Sequence, residues 1–176
     1  MHARRHESTV VHTGRIITLH SDRVTLPNGV AATLDVIRHP GAVAVVPVTD
    51  RGHVVLIRQY RYAVDDYIWE IPAGTLEPGE SPLVCARREL VEEIGMSAGR
   101  WHTLGAVTPL PSYSDEIIHL FRAGDLRPAV QHLDADEIIE IHEFPYAEAL
   151  AMITGGRIRD TKTIAGLTMA QSVGSR

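Results

Sequence analysis

The chain has 176 residues, of which 44% are hydrophobic, and a formal net charge of −5 with its ten histidines counted as neutral. A chain of this size can bury one good core, and an acidic balance without a basic run argues against a nucleic-acid backbone as the main partner. Its single cysteine, Cys85, cannot form an intrachain disulfide, and no apolar run approaches the roughly 18–20 residues that span a bilayer.

The first 39 residues predict a small β extension. Strands are predicted over residues 9–11 and 15–19, and Pro27-Asn28-Gly29 predicts a hairpin turn between strands at 24–26 and 30–37. This segment is too small to be stable alone, so it must dock on the main domain or on another subunit, and we expect the second. The predicted domains are residues 1–39, an extension used for dimerisation, and residues 40–176.

The rest of the chain alternates strands and helices. Apolar strands are predicted at 42–48 and 53–60, joined by a turn at 49–52, and their unbroken apolar character indicates a sheet covered on both faces. Further strands are predicted at 104–108, 117–123 and 137–144, with a loop at 109–116, and helices at 146–154 and 161–172. This order of elements is typical of an α+β protein with a mixed sheet between helices.

One more helix is predicted to start with Ser81 as its N-cap and Pro82 at its first position. Its buried stripe is predicted to consist of apolar residues spaced three or four apart, namely Leu83, Ala86, Leu90 and Ile94.

The end of this helix carries an unusual set of carboxylates. Glu89, Glu92 and Glu93 fall within one arc of about 100° on the helix surface, and each like-charge pair costs roughly 0.2–0.5 kcal/mol. They also precede Gly95, a helix stop, where the negative end of the helix dipole opposes them. The alternative is a solvated acidic face. We favour a positive partner, and hard divalent cations prefer such oxygens.

The spacing around these acids resembles the signature of the Nudix hydrolases: Gly, five residues, Glu, seven residues, then Arg-Glu-aliphatic-x-Glu-Glu-x-Gly-aliphatic. This chain matches it throughout, at Gly74, Glu80, Arg88, Glu89, Leu90, Glu92, Glu93, Gly95 and Met96. The resemblance implies a Nudix-type α/β/α sandwich of the α+β class with a mixed sheet, in addition to the small N-terminal antiparallel β extension.

The resemblance also implies roles for residues of the motif. Glu89 and Glu93 would be the principal ligands of Mg²⁺, with Mn²⁺ as a substitute, Glu92 a secondary ligand, and the carbonyl of Ala73 a further oxygen. The metal would activate a water that attacks a phosphorus of a nucleoside diphosphate linked to another group.

Supporting roles are expected around these ligands. Arg88 would orient the carboxylates, Glu80 would brace the loop before the helix, and Gly74 and Gly79 would allow its tight turns.

Outside the motif, the chain resembles the ADP-ribose pyrophosphatase branch of the family. The similar segments are Arg58-Gln59-Tyr60-Arg61, the lead-in Trp69 to Gly74, and Pro111 fifteen residues beyond the motif. They imply substrate binding by Arg58, Arg61 and Glu70. They also imply that Glu116, in the loop 111–116, is a general base or completes a metal site. Relatives often carry Gly where this chain has Ser112.

The N-terminal segment Gly14-Arg15-Ile16-Ile17 resembles a strand that, in this branch, reaches the partner subunit, so Arg15 and Ile16 would contact the adenosine. Simpler interpretations remain for these residues. Residues 14–17 could form an ordinary strand, Arg58 and Arg61 could be surface charges, and Glu116 could be an exposed loop acid.

The expected protein is a cytoplasmic homodimer, without nucleic-acid or membrane partners, that cleaves ADP-ribose to AMP and ribose 5-phosphate with Mg²⁺. The alternatives are hydrolysis of another nucleoside diphosphate sugar, a nucleoside triphosphatase, and a Nudix-fold nucleotide sensor without catalysis.

Overall fold

The structure is a computed structural model that describes residues 2–135 and 137–174. The chain divides into two compact units, one formed by the residues up to Gly41 with Thr108–Ile117, and the other by Ala42–Val107 with the residues from Ile118 onward. The predicted domains, 1–39 and 40–176, include Met1, Asp136, Ser175 and Arg176, which lie outside the described residues.

The first unit contains a three-stranded antiparallel sheet in the order β1-β2-β3, with β1 at Arg4–Thr13, β2 at Thr18–Thr25 and β3 at Ala31–Arg38. The predicted hairpin turn is confirmed: the N–H of Gly29 donates to the carbonyl of Leu26 over 2.9 Å, and Gly29 has a φ of 85°.

The predicted strand over residues 15–19 is wrong in its first half. The N–H of Gly14 donates to the carbonyl of Ile17 over 2.8 Å, which closes a reverse turn, and β2 starts only at Thr18. Arg15 and Ile16 therefore lie in the turn between β1 and β2.

The loop that carries Glu116 belongs to this first unit. It is bonded to β3, because the N–H of Ile37 donates to the carbonyl of Tyr113 over 2.7 Å and the N–H of Asp115 donates to the carbonyl of Ile37 over 3.1 Å. Asp115 also accepts from Arg38, which in turn pairs with the buried Asp22.

The described residues of the second unit form two sheets. One is antiparallel, in the order β10-β5-β6, with β5 at His53–Arg61, β6 at Asp66–Glu70 and β10 at Ile139–Pro145. The other has the order β7-β4-β9-β8, with β4 at Ala42–Pro47, β7 at Ala73–Thr75, β8 at Met96–Val107 and β9 at Ile118–Pro128. Because β4 runs parallel to β9 while the other pairs are antiparallel, this sheet is mixed, as predicted.

The residues that the structure describes form three α-helices, which pack on these sheets: α1 at Pro82–Ile94, α2 at Tyr146–Thr154 and α3 at Thr161–Gln171. Single 3₁₀ turns occur at Tyr62–Val64 and Ser172–Gly174. Within the described ranges, none of the helices has the length and apolar character that crossing a membrane requires.

Strand β4 is buried on both faces, which confirms the interpretation of its unbroken apolar run. Ala44 and Val46 belong to the core cluster that includes residues of α2 and α3. The alternating residues Val43 and Val45 belong to the cluster that includes residues of α1. Successive side chains of a strand point to opposite faces, so one strand anchors both helical layers.

Helix α1 has the predicted bounds, but its buried surface differs from the prediction at Leu83. It begins after Ser81 and ends at Gly95, whose φ of 61° is left-handed. Leu83 is 36% exposed, and Cys85 is buried instead, together with Ala86, Leu90 and Ile94. The same inward surface includes two carboxylates of the predicted site.

Candidate active site

Glu89 and Glu93 lie on the inward surface of α1 and are 8% and 1% exposed. Burial raises the pKa of Glu89 to about 7. Burial likewise raises the pKa of Glu93 well above its ordinary value, although the N–H of Ala73 donates to its Oε2 over 2.8 Å. Glu92, the third acid of the arc, is more exposed. Because burial deprives their ionised forms of hydration, both carboxylates need a nearby positive charge in order to ionise readily.

Strand β7 approaches α1 closely because Gly74 has no side chain. A Cβ at this position would lie 1.9 Å from the Cδ and the Oε1 of Glu89. The prediction that Gly74 allows a tight turn is therefore wrong. Gly74 lies in strand β7, which pairs with β4, and its missing side chain leaves space for the Glu89 carboxylate. Gly79 does form the expected turn, with a φ of 80°.

Arg88 links the acids of the motif. Its Nε and Nη2 donate to Glu80 over 3.0 and 2.9 Å, and its Nη1 donates to Glu89 over 2.6 Å and to Glu92 over 2.9 Å. The hydrogen bonds from Arg88 lower the pKa of Glu80 to about 2. Glu80 also accepts from the N–H of Glu77 over 3.2 Å, which fits the expected brace of the loop.

The donor set fits a hard divalent cation. It consists of carboxylate oxygens, two of them buried and costly to ionise without a cation, beside a strand whose glycine leaves room for them. Over residues 2–135 and 137–174, no three His, Cys, Asp or Glu side chains are already gathered as a metal-binding group.

A fourth acid near this cluster, Glu137, was missed by the sequence reasoning. Its negative charge adds to the effect of burial in raising the pKa of both Glu89 and Glu93. Glu137 belongs to the segment before β10, where its N–H donates to the carbonyl of Asp134 over 3.0 Å and its Oε2 accepts from the N–H of Asp134 over 3.0 Å. The only feature of the sequence that could have pointed to Glu137 is that three of the four residues 134–137 are acidic, and this stretch lies outside the motif.

Arg61 and Glu70 form a bidentate ion pair across β5 and β6. The Nε and Nη2 of Arg61 donate to the two carboxylate oxygens of Glu70 over 3.0 and 2.7 Å. Burial opposes the ionisation of Glu70, but its partners Arg61 and Lys162 outweigh this effect and lower its pKa. Glu70 is buried, whereas the side chain of Arg61 is 40% exposed, so of the two only Arg61 presents much of its surface to a ligand.

Arg58 lies on the same strand and contacts two neighbouring strands. Its guanidinium lies 4.9 Å from the ring centroid of Tyr67 on β6, and its Nη1 donates to Glu140 on β10 over 3.3 Å.

The aromatic side chains near Arg58 pack within the protein. Trp69 packs edge-on against His142 and Phe144, with ring centroids 4.9 and 5.2 Å apart. Tyr60 packs against Tyr67 and donates its hydroxyl to Asp65.

The remaining predicted site residues lie in the first unit. Within its loop, the N–H of Glu116 donates to the hydroxyl oxygen of Ser114 over 3.1 Å, and the Oε1 of Glu116 lies 3.9 Å from the Nδ1 of His39. Arg15 and Ile16 are exposed in the turn between β1 and β2.

Replacing Gly74 by alanine tests the close approach of β7 to α1. Because the added Cβ would displace the Glu89 carboxylate, we expect Gly74→Ala to raise the metal concentration for half-maximal activity about tenfold or more, with a modest change in Tm. The control is Gly124→Ala, whose Cβ would meet its nearest neighbour at 3.7 Å. Metal titration of both variants provides the measurement, and an unchanged midpoint for Gly74→Ala would contradict the expectation.

Known proteins are similar to this chain in sequence and in fold. A family model described as the NUDIX domain matches residues 38–167. ADP-ribose pyrophosphatase of Bacillus subtilis (strain 168) is 39% identical over 155 residues, which cover 87% of this chain and 84% of that protein. Methanol dehydrogenase activator of Bacillus methanolicus is 40% identical over 163 residues, which cover 92% of this chain and 88% of that protein.

A solved structure described as an ADP compounds hydrolase has a TM-score of 0.86 and 25% identity, and the match covers 98% of this chain and 94% of that chain. Together with the mixed sheet and the three helices, this similarity confirms the predicted fold class. The family model covers the carboxylate helix and most of the second unit. The chain therefore belongs to the Nudix family.

Proposed function

We propose that this Nudix enzyme hydrolyses the pyrophosphate bond of ADP-ribose to AMP and ribose 5-phosphate, with Mg²⁺ as its metal. The observation that carries the proposal is the pair of buried carboxylates, Glu89 and Glu93, beside a glycine that leaves room for them. The choice of substrate is supported by the similarity to a protein named ADP-ribose pyrophosphatase and to one described as an ADP compounds hydrolase.

Glu89 and Glu93 would hold the metal, with Glu92 and the carbonyl of Ala73 as further donors. When bound, Mg²⁺ supplies a water of lowered pKa and offsets the negative charge that develops on the phosphate oxygens. Arg88 already bonds Glu89 and Glu92, so it would keep their carboxylates oriented while the ion binds. Mn²⁺, which accepts the same oxygen ligands, would be a substitute.

Arg61 would bind the diphosphate of the substrate. Its Nε and Nη2 donate to Glu70, and its Nη1 donates to none of the described residues, so that nitrogen is available to a ligand. A guanidinium held by a buried carboxylate is ordered before the substrate arrives, which reduces the entropy lost on binding. Glu70 thus acts by anchoring Arg61, and Arg58 would bind the substrate from the same strand.

A general base is needed to accept a proton from the attacking water. Glu116 remains the candidate from sequence, and Glu137 is a second candidate because its charge acts on both buried acids of α1. Either carboxylate could accept the proton in the transition state.

The substrate is tested by ranking kcat/KM for ADP-ribose, ADP-glucose, GDP-mannose, diadenosine phosphates and 8-oxo-dGTP with Mg²⁺. The proposal expects ADP-ribose to rank first. A nucleoside diphosphate sugar other than ADP-ribose at the top would replace the substrate while keeping the chemistry. No turnover of any compound would favour a nucleotide sensor.

We also propose that the enzyme is a cytoplasmic homodimer whose first unit contributes to the partner's site. Strand β1 is exposed along its whole length, including Val10 and Val11, which are 55% and 58% exposed. Covering such apolar side chains would stabilise a dimer, and cyclic dimers are the commonest homo-oligomers. Arg15 and Ile16 would then contact the adenosine. The single cysteine, Cys85, is free and buried, which suits a reducing compartment.

Deletion of residues 1–38 tests this assembly. We expect light scattering to give a dimer for the full chain, and the truncated protein to be monomeric or poorly soluble with a KM for ADP-ribose raised about tenfold or more. A full-length monomer at micromolar concentration would contradict the dimer. An unchanged KM after truncation would contradict the shared site, and neither result would affect the metal chemistry.

A further inference from the structure

Lys162 is the only lysine in the chain, since all the other residues in its total of 17 lysines and arginines are arginine. It lies in the first turn of α3, and its side chain is only 12% exposed. A lysine that is almost fully enclosed requires a charged partner, because its ammonium group is strongly hydrated in water.

Two carboxylates provide that partnership. The Nζ of Lys162 donates to the Oε2 of Glu70 over 2.8 Å and lies 3.1 Å from the Oδ2 of Asp160. The same Oε2 of Glu70 accepts from the Nη2 of Arg61 over 2.7 Å. Two cations and two carboxylates thus form one cluster with no net charge.

The cluster connects α3 to the strands that lead to the site. Asp160 caps α3 by accepting from the N–H of Thr163 over 2.9 Å, and the hydroxyl of Thr163 accepts from the N–H of Ile71 over 2.9 Å. Ile71 directly follows Glu70 and lies two residues before Ala73, whose N–H bonds Glu93.

We propose that Lys162 is a positioning residue that keeps the guanidinium of Arg61 available to the diphosphate of the substrate. This inference rests on the proposed function, in which Arg61 binds that diphosphate. With Lys162 present, Glu70 and Asp160 are neutralised without a contribution from the Nη1 of Arg61, the guanidinium nitrogen that does not bond Glu70. Without it, Arg61 alone must offset two carboxylates, and the cluster acquires a net charge of −1 beside the bound phosphates.

The expected consequence is weaker binding rather than slower chemistry. The diphosphate carries negative charge in the ground state and in the transition state, so the loss of one positive charge weakens both to a similar degree. Such uniform weakening raises KM and leaves kcat nearly unchanged.

The test compares Lys162→Met with Lys162→Arg, which restores the charge. The matched control is Arg159→Met, because Arg159 is a neighbouring cation that pairs with Asp66 on the surface. We expect Lys162→Met to raise KM at least about tenfold with kcat within about threefold of the wild type, and the other two variants to keep KM within about threefold. An unchanged KM in Lys162→Met, or a fall in kcat at unchanged KM, would overturn the inference.

A second readout does not depend on turnover. Protein grown with lysine labelled with ¹³C at Cε should give a single lysine signal. That signal should move in Arg61→Met, because the two residues share one oxygen of Glu70, and should stay in place in Arg51→Met, where an exposed arginine paired with Glu143 is lost. If the chemical shift of the Lys162 signal is the same in Arg61→Met as in the wild type, the proposed coupling between Lys162 and Arg61 is overturned. This readout remains valid even if Lys162→Met fails to fold.

Different results would contradict the proposed substrate and the positioning role of Lys162. Wild-type protein that leaves ADP-ribose intact contradicts the proposed substrate. The KM ratios are then measured with the compound of the substrate panel that is hydrolysed, and they test Lys162 with the same criteria.

Discussion

Glu93→Gln is expected to lower kcat at saturating Mg²⁺ by about 10³-fold or more, which corresponds to about 4 kcal/mol of barrier. The amide keeps the shape of the carboxyl group and can still accept the hydrogen bond from the N–H of Ala73. It cannot supply the negative charge that holds a divalent cation. The loss should therefore appear in turnover while the fold stays intact.

Stability of the metal-free protein provides a second readout of the same variant. Because burial raises the pKa of Glu93 in the folded state, the folded protein binds more protons than the unfolded protein above the ordinary range of a glutamate. Glu93 then destabilises the fold increasingly as the pH rises from that range toward its raised pKa. We expect metal-free Glu93→Gln to have a Tm at least equal to that of the wild type at neutral pH, with an advantage that shrinks in acid.

The control for both readouts is Glu148→Gln, which removes an exposed carboxylate in the first turn of α2. It should leave kcat unchanged and lower Tm only slightly, because the helix dipole stabilises an acid in the first turn of a helix. A Glu93→Gln variant that retains more than about a tenth of the wild-type kcat would remove Glu93 from the catalytic centre, since that loss is only about 1.4 kcal/mol.

Glu137→Gln is expected to lower kcat about 100-fold with little change in KM. A general base acts mainly in the transition state and contributes roughly 10²–10⁴ to the rate, so its loss lowers kcat and kcat/KM together. Glu116→Gln is measured beside it, because both acids are candidates for the role. Full kcat in Glu137→Gln would contradict its assignment.

For Glu116→Gln, the two kinetic constants separate its proposed roles. A strong fall in kcat at unchanged KM would make Glu116 the base or a metal ligand of the transition state. A raised KM with kcat preserved would make it a binding residue.

The fold could be predicted from sequence where a local pattern decides the structure. The unbroken apolar run of β4 indicated a strand buried on both faces, and Pro82 and Gly95 marked the two ends of α1. The turn at Gly29 followed from its freedom to adopt positive φ.

The errors arose where contacts distant in sequence decide the structure. Gly74 reads locally as a turn residue, and only the packing of β7 on α1 shows that it makes room for Glu89. Leu83 fits the helical period but is 36% exposed, whereas Cys85 is buried and its thiol donates to the carbonyl of Thr75 in β7. Glu137 follows α1 by more than forty residues, so no spacing within the motif could place its charge near Glu93.

The hydrolysis of ADP-ribose is tested by identifying the products that the full-length protein forms from it. We expect AMP and ribose 5-phosphate in equal amounts when Mg²⁺ is present, and no products when the metal is removed with a chelator. Unchanged ADP-ribose in the presence of Mg²⁺, or the same rate of hydrolysis with the chelator, would contradict it.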